Sequence, residues 1–164
     1  MPNTIRPLTP EDAAAYRPLR LESLRLHPEA FGASFEQEAA QDEAFFADRL
    51  AAGTVFGGFS GGELAGTAGF RREPGAKQGH KALLWGVYVQ PIARRTGLSR
   101  RLVEAVLAYA RERVELIQLK VVATNVPARR LYERLGFQVY GIEARSLKLD
   151  GVYHDEVLMV KSPP

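Results

Sequence analysis

The chain contains no cysteine. Disulfides, thiolate metal sites and a cysteine nucleophile are therefore excluded. Histidine is scarce. His27, His80 and His154 lie far apart without the spacing of metal ligands, so no zinc site is expected. No apolar run reaches the ~18 residues of a membrane-spanning helix. The opening MPNTIRPLTPED lacks the apolar stretch and cleavage pattern of a secretory signal. A cytoplasmic location with no membrane partner is the expectation. Charge of one sign is not in large excess: 22 Lys and Arg against 19 Asp and Glu leave +3. That mild balance, without a clear aromatic stacking motif, argues against nucleic acid as a partner. A local arginine cluster can still attract an anion. Repeats, low-complexity segments and linkers are also missing.

What is present is an ordinary globular composition. The 164 residues are 46% apolar and 25% charged, enough for one domain, 1–164, that buries about 70% of its unfolded surface. Residues 4–8 read as a strand. Thr9-Pro10-Glu11-Asp12 then starts a helix running towards His27, with a capping threonine, proline at the first position and acids in the first turn. Pro18 inside that helix should kink or split it. Residues 29–37 read as a loop whose Phe31 and Phe35 either pack as core or lid, or wall a substrate. A second helix is expected over 39–52, ended by Gly53. Residues 54–59 and 64–72 are antiparallel strands joined at Ser60-Gly61-Gly62-Glu63. Residues 137–149 and 152–161 form a closing hairpin around Asp150-Gly151, followed by a frayed tail, 162–164.

The stretch from Val87 to Ala110 organises the rest. Leu83, Leu84, Trp85, Val87, Tyr88 and Val89 are strand residues, and Pro91 ends the ladder. Arg94-Arg95-Thr96-Gly97-Leu98-Ser99 makes a short basic turn. In the helix that follows, Leu98, Leu102, Val106 and Tyr109 form one apolar row, with Val103, Leu107 and Ala110 beside it. Residues 116–123 return as a strand after this helical crossover, so they should lie parallel to 83–89. A strand, a tight turn and a helix start together make a phosphate-binding geometry, because the first helical amides have no intrahelical acceptor. From these residues alone, a solvated loop before an amphipathic helix is the other reading, and the favoured one. Asn125 caps a last helix whose Ala128, Leu131, Tyr132 and Leu135 share one face, and Gly136 ends it.

Two segments resemble the GNAT superfamily of acyl-CoA N-acyltransferases. Val89, Pro91, Arg94, Gly97, Leu98 and Ser99 are similar to the family's Gln/Arg-x-x-Gly-x-Gly/Ala loop, which grips the CoA pyrophosphate. Asn125, Ala128, Leu131, Tyr132, Glu133, Gly136 and Phe137 are similar to the segment that flanks the pantetheine. The resemblance covers residues 4–161. It implies an α/β fold with a mixed sheet of six to seven strands, splayed at a central parallel pair and flanked by about four helices. It implies acetyl-CoA as donor, bound by Val87, Tyr88, Val89, Arg94, Arg95, Thr96, Gly97, Leu98, Ser99, Arg100 and Asn125, with no metal. Three departures stand out. Arg95 replaces a common glycine, so it needs either ordinary backbone or strain. Ser99 replaces glycine or alanine. The 83–89 strand carries no acid, whereas many relatives have one there.

Acyl transfer to an amine needs a base for the amine, donors for the oxyanion and a proton or stabilisation for the thiolate. Tyr132 is the candidate acid, the alternative being a core tyrosine. Glu36 is the candidate base or amine anchor, with His80, His154 and Asp155 as other candidates. Without cysteine, direct transfer in a ternary complex is preferred to a covalent acyl-enzyme. The expected acceptor is a primary amine on a small molecule or protein, placed between the 29–37 loop and the 150–155 turn. A homodimer is allowed. The rival reading is a non-catalytic CoA-binding regulatory module.

Overall fold

The structure is a computed structural model that describes residues 2–164. The elements follow in the order β1 (Thr4–Pro7), α1 (Ala13–Leu26), α2 (Phe35–Ala39), α3 (Glu43–Ala52), β2 (Thr54–Ser60), β3 (Glu63–Arg72), β4 (Lys81–Val89), α4 (Leu98–Ala110), β5 (Leu116–Val122), α5 (Val126–Arg134), β6 (Gln138–Leu149) and β7 (Val152–Lys161). The strands form one seven-stranded sheet in the order β1-β2-β3-β4-β5-β7-β6. Every pairing is antiparallel except β4–β5, which the α4 crossover makes parallel as expected. That pair holds for three registers only, Lys81↔Leu116, Ala82↔Ile117 and Leu83↔Gln118. Beyond it, residues 84–89 and 119–122 run on without pairing to each other.

The sheet is covered on both faces. On one, α4 lays Leu98, Leu102, Val103, Val106 and Leu107 against Ala82, Leu84, Val89, Ile117 and Leu119, and Tyr132 of α5 joins the same core. On the other, α1 and α3 supply Tyr16, Phe46 and Leu50, which pack with Val55 and Trp85. No helix among the described residues is long and apolar enough to cross a membrane.

Several local expectations are corrected. Pro18 sits inside α1 without splitting it. It removes a single amide near the helix start, and buried Tyr16 and Leu19 on either side hold that turn against the core. The region 29–37 is not all loop. Residues 28–30 form a 3-10 turn, and α2 begins at Phe35, where Ser34 accepts the Gln37 amide. The helix expected over 39–52 is therefore divided, with α3 restarting at an Asp42 cap that accepts the Phe45 amide. Five α-helices result, against about four expected. Gly53 ends α3 in extended backbone, φ −124°. The tail is not frayed: Pro164 is buried and its carbonyl accepts from Arg111 Nε at 3.4 Å.

The start of α1 is tied to the edge strand β1. Asp12 accepts both arms of the Arg6 guanidinium at 2.9 Å and the Thr9 amide at 2.8 Å. The Arg6 contact chiefly holds the Asp12 carboxyl down, to about 2. A carboxyl depressed in the fold contributes stability above its unfolded pKa, and that contribution fades as pH falls. Asp12→Asn is therefore expected to lower stability by about 1 kcal/mol at neutral pH. In urea melts between pH 7 and 2, the gap to wild type should close from about pH 4 downwards.

Candidate active site

The opening between β4 and β5 leaves two strand edges whose peptide groups face a gap instead of a partner. A bulge shapes the β4 edge. β3 pairs Thr67 with Tyr88 and Gly69 with Trp85, so Gly86 and Val87 together oppose Ala68. Gly86 takes φ +60°, which favours glycine, and its carbonyl accepts from Thr67 Oγ1 at 3.0 Å. The extra residue reverses the alternation of β4. Leu84, Val87 and Val89 face the α4 side, whereas Trp85 and Tyr88 face the α1 side. A glycine inside a strand pattern is the sequence signal for this bulge, and the reading of residues 83–89 passed over it.

Next comes the basic turn. The first bond inside α4 runs from the Arg101 amide to the Gly97 carbonyl, 3.1 Å. The amides of Leu98, Ser99 and Arg100 therefore have no acceptor among the described residues, and they sit at the positive end of the helix dipole. Gly97 is left-handed, φ +82°, with nothing within 4 Å of where a Cβ would stand. Leu98 is buried and anchors the turn. Thr96 Oγ1 donates to the Ala93 carbonyl at 2.6 Å. Three of the four arginines are engaged. Arg94 donates to the Val89 carbonyl and lies 3.1 Å from His27 Nε2. Arg100 pairs with Glu104, and Arg101 donates to the Asn3 carbonyl. Arg95 is exposed and makes no hydrogen bond among the described residues. Its backbone is left-handed, φ +62°, so the strain anticipated for a non-glycine there is present.

Across the gap, Asn125 Oδ1 caps α5 by accepting the Ala128 amide at 3.4 Å, which leaves its side-chain nitrogen for other use. Tyr132 lies against Phe137, ring centroids 5.8 Å apart, and is 7% exposed. Its hydroxyl has no hydrogen-bond partner among the described residues, and burial pushes it above the ordinary phenol range. Tyr88 points the other way. It donates to Glu22 at 2.8 Å, and burial followed by the Glu22 charge pushes it up to about 12.

The α1 side of the opening carries polar groups that the sequence reading missed. Glu38 of α2 accepts from Arg20 Nε and Nη2 at 3.0 and 3.1 Å and from Arg49 Nη1 at 2.9 Å. Burial opposes the Glu38 charge, but the two guanidiniums outweigh it and hold the carboxyl below its ordinary range. Glu156, 8% exposed, stands opposite Val122 at the open end of β5. Val157 and Met159 face the α4 core, so alternation puts Glu156 on the α1 side. Ser146 contacts both Glu156 and Glu143 through its hydroxyl. It has one proton for two carboxylates, so Glu156 keeps lone pairs that Ser146 does not fill. The 28–30 turn touches β5 and β6 and roofs this side.

The candidates named from sequence are dispersed. Glu36 is exposed in the first turn of α2, where its own amide and the Ser34 hydroxyl hold its carboxyl low. Asp155 accepts the Arg145 amide at 2.8 Å, and His154 pairs across the hairpin with Leu147. His80 lies at the closed end of the sheet, beside a hollow of about 780 Å³ lined also by Arg72, Glu73 and Arg111. That hollow, although large, is remote from the unpaired edges. Among the described residues no group of three or more His, Asp or Glu side chains is placed to hold a metal.

Comparison with known proteins adds to this geometry. The profile of the Acetyltransferase (GNAT) family matches residues 20–137. An acetyltransferase of the GNAT family from Streptococcus pneumoniae superimposes with a TM-score of 0.88 at 21% identity, covering 98% of this chain and 99% of that one. The protein yncA of Salmonella typhimurium, solved with its cofactor acetyl-CoA, gives 0.82 at 22% identity, covering 100% and 95%. Ribosomal-protein-alanine N-acetyltransferase from Brucella melitensis gives 0.78 at 22% identity, covering 97% and 99%. No curated protein matches by sequence. The seven-stranded mixed sheet is the fold these structures share.

The left-handed arginine makes a measurable claim. Glycine adopts φ +62° without steric cost, although it also frees the unfolded chain. Arg95→Gly is expected to leave stability unchanged or raise it by up to about 1 kcal/mol, the reverse of an ordinary turn residue changed to glycine. Urea unfolding of the two proteins checks this.

Proposed function

The chain belongs to the GNAT family of acetyltransferases, and from that premise we propose that it transfers the acetyl group of acetyl-CoA directly to a primary amine, with both substrates bound together. The observation that carries this reading is the parallel pair that opens after three registers beside a helix start with free amides. A donor of this class has the complementary parts. Its pantetheine amides suit the unpaired β4 edge at Val87, Tyr88 and Val89, to which Tyr88 offers only its backbone. Asn125 can take a pantetheine amide through its free side-chain nitrogen. Its pyrophosphate suits the amides of 98–100, with Arg95 adding an unengaged charge. Gly97 leaves the approach clear.

The two faces of the opening divide the chemistry. The acceptor enters from the α1 side and the thiol leaves toward α5. The amine nitrogen attacks the acetyl carbon, the C–N bond forms, the C–S bond breaks, and the amine proton passes to a base. Two carboxylates are proposed for the amine. Glu156 is buried at the open end and takes the role of base, directly or through one water. Glu36, exposed in the first turn of α2, takes that of amine anchor. Tyr132 stays protonated because it is buried, and its unpartnered hydroxyl donates to the departing sulfur.

These roles separate experimentally. Tyr132→Phe keeps the ring and should bind CoA normally, while its single-turnover rate falls about 10–100-fold. Glu156→Gln should lower kcat/KM about 100-fold, and Glu36→Gln should raise only the acceptor KM. Arg95→Gly should weaken CoA binding by about 1 kcal/mol in calorimetric titration. Acetyl-CoA that binds but releases no thiol with any amine would favour a non-catalytic module instead.

A further inference from the structure

The structure assigns Arg20 a further role: it is the subsite for an oxyanion on the acceptor, so the acceptor is a small primary amine that also carries a carboxylate, phosphonate or sulfonate. This rests on the acetyl transfer proposed above and specifies its substrate class.

Arg20 is 8% exposed, which is unusual for a guanidinium. It uses Nε and Nη2 on Glu38. Nη1 makes no hydrogen bond among the described residues and lies 3.7 Å from where a Cβ at Gly86 would stand. This free donor therefore faces the bulge of β4, at the edge of the opening. A side chain at Gly86 would stand in contact with Nη1, so the glycine leaves this donor uncovered by its own strand. The guanidinium lies near two rings, Phe31 at 5.6 Å and Trp85 at 5.5 Å. Phe31 belongs to the roof segment, so the slot is covered above and floored by β4.

Charge points the same way. Arg20 and Arg49 share one carboxylate, Glu38, so this ion-paired cluster by itself carries one net positive charge in a largely desolvated place. A buried charge of that kind favours an anionic partner. A guanidinium edge suits an oxyanion with two oxygens. If helix stapling were its only purpose, the free Nη1 would not need to face the strand that holds the donor. The narrow, roofed position favours a small molecule over a folded protein.

The test uses the full-length protein and acetyl-CoA. Each amino acid is compared with its carboxamide, and 2-aminoethylphosphonate and taurine supply the other oxyanions. Rates are taken on the high-pH plateau, where both amines of a pair are unprotonated. Wild type should prefer an oxyanion-bearing acceptor over its neutral partner by about 10–100-fold in kcat/KM. Arg20→Lys keeps the charge but loses the planar fork. It should raise the KM of that acceptor about tenfold or more, leaving kcat and the KM values of neutral amines and acetyl-CoA unchanged. If Arg20→Lys unfolds, Arg20→Met leaves Glu38 paired with Arg49, so that the cluster becomes neutral, and should abolish the preference. Amines acetylated equally well with and without an oxyanion would overturn this assignment and leave acetyl transfer standing. Acetyl-CoA bound with no amine acetylated would overturn the transfer itself, and the assignment with it.

Discussion

The parallel contact between β4 and β5 lasts three residue pairs, and the rest of the molecule depends on that brevity. A backbone edge cannot stay dry and unpaired, so the two diverging strands must meet water or a ligand with peptide-like groups. Each is secured on its outer side, β4 by β3 and β5 by β7. The gap can therefore remain open without the sheet coming apart. The bulge at Gly86 adds to this. By shifting the alternation by one residue, it commits Val87 and Val89 to the α4 core and turns Tyr88 toward α1.

Two chemical environments follow on the two sides of one opening. The α4–α5 side is apolar inside, and its polar features lie at its edge: amides at a helix start, the arginines of the basic turn, an asparagine cap and the Tyr132 phenol. The α1 side holds the charges: the Arg20–Glu38–Arg49 cluster, Glu22 beneath Tyr88, and Glu156 with Ser146. A thioester crossing the gap would present its carbonyl between these environments.

Alternation and turn chemistry made most of the architecture legible. The 54–72 hairpin, the 138–161 hairpin around Asp150-Gly151, the amphipathic α4 and the Asn125 cap all follow from local pattern. The parallel β4–β5 pair follows from the crossover rule. The short helix at Phe35–Ala39 was not legible, because five residues are too few to show a helical period. Glu38 was not legible either, since its partners Arg20 and Arg49 come from other helices. Glu156 had a faint signal, an acid following Asp155 and directly preceding the apolar Val157-Leu158-Met159. Which face of β7 would be roofed is a tertiary fact. Local pattern thus located the elements on the α4–α5 side, while the α1 side is assembled from distant segments.

One feature on that side governs how the protein loosens. A single carboxylate, Glu38, joins α1, α2 and α3 by accepting from Arg20 and Arg49. Were it to withdraw, two guanidiniums would face each other at short range without an anion between them, and each would gain by moving apart. Partial detachment of one helix is therefore unfavourable for the other two. The three helices are thus coupled through one carboxylate, and loss of the Glu38 charge would loosen all of them together.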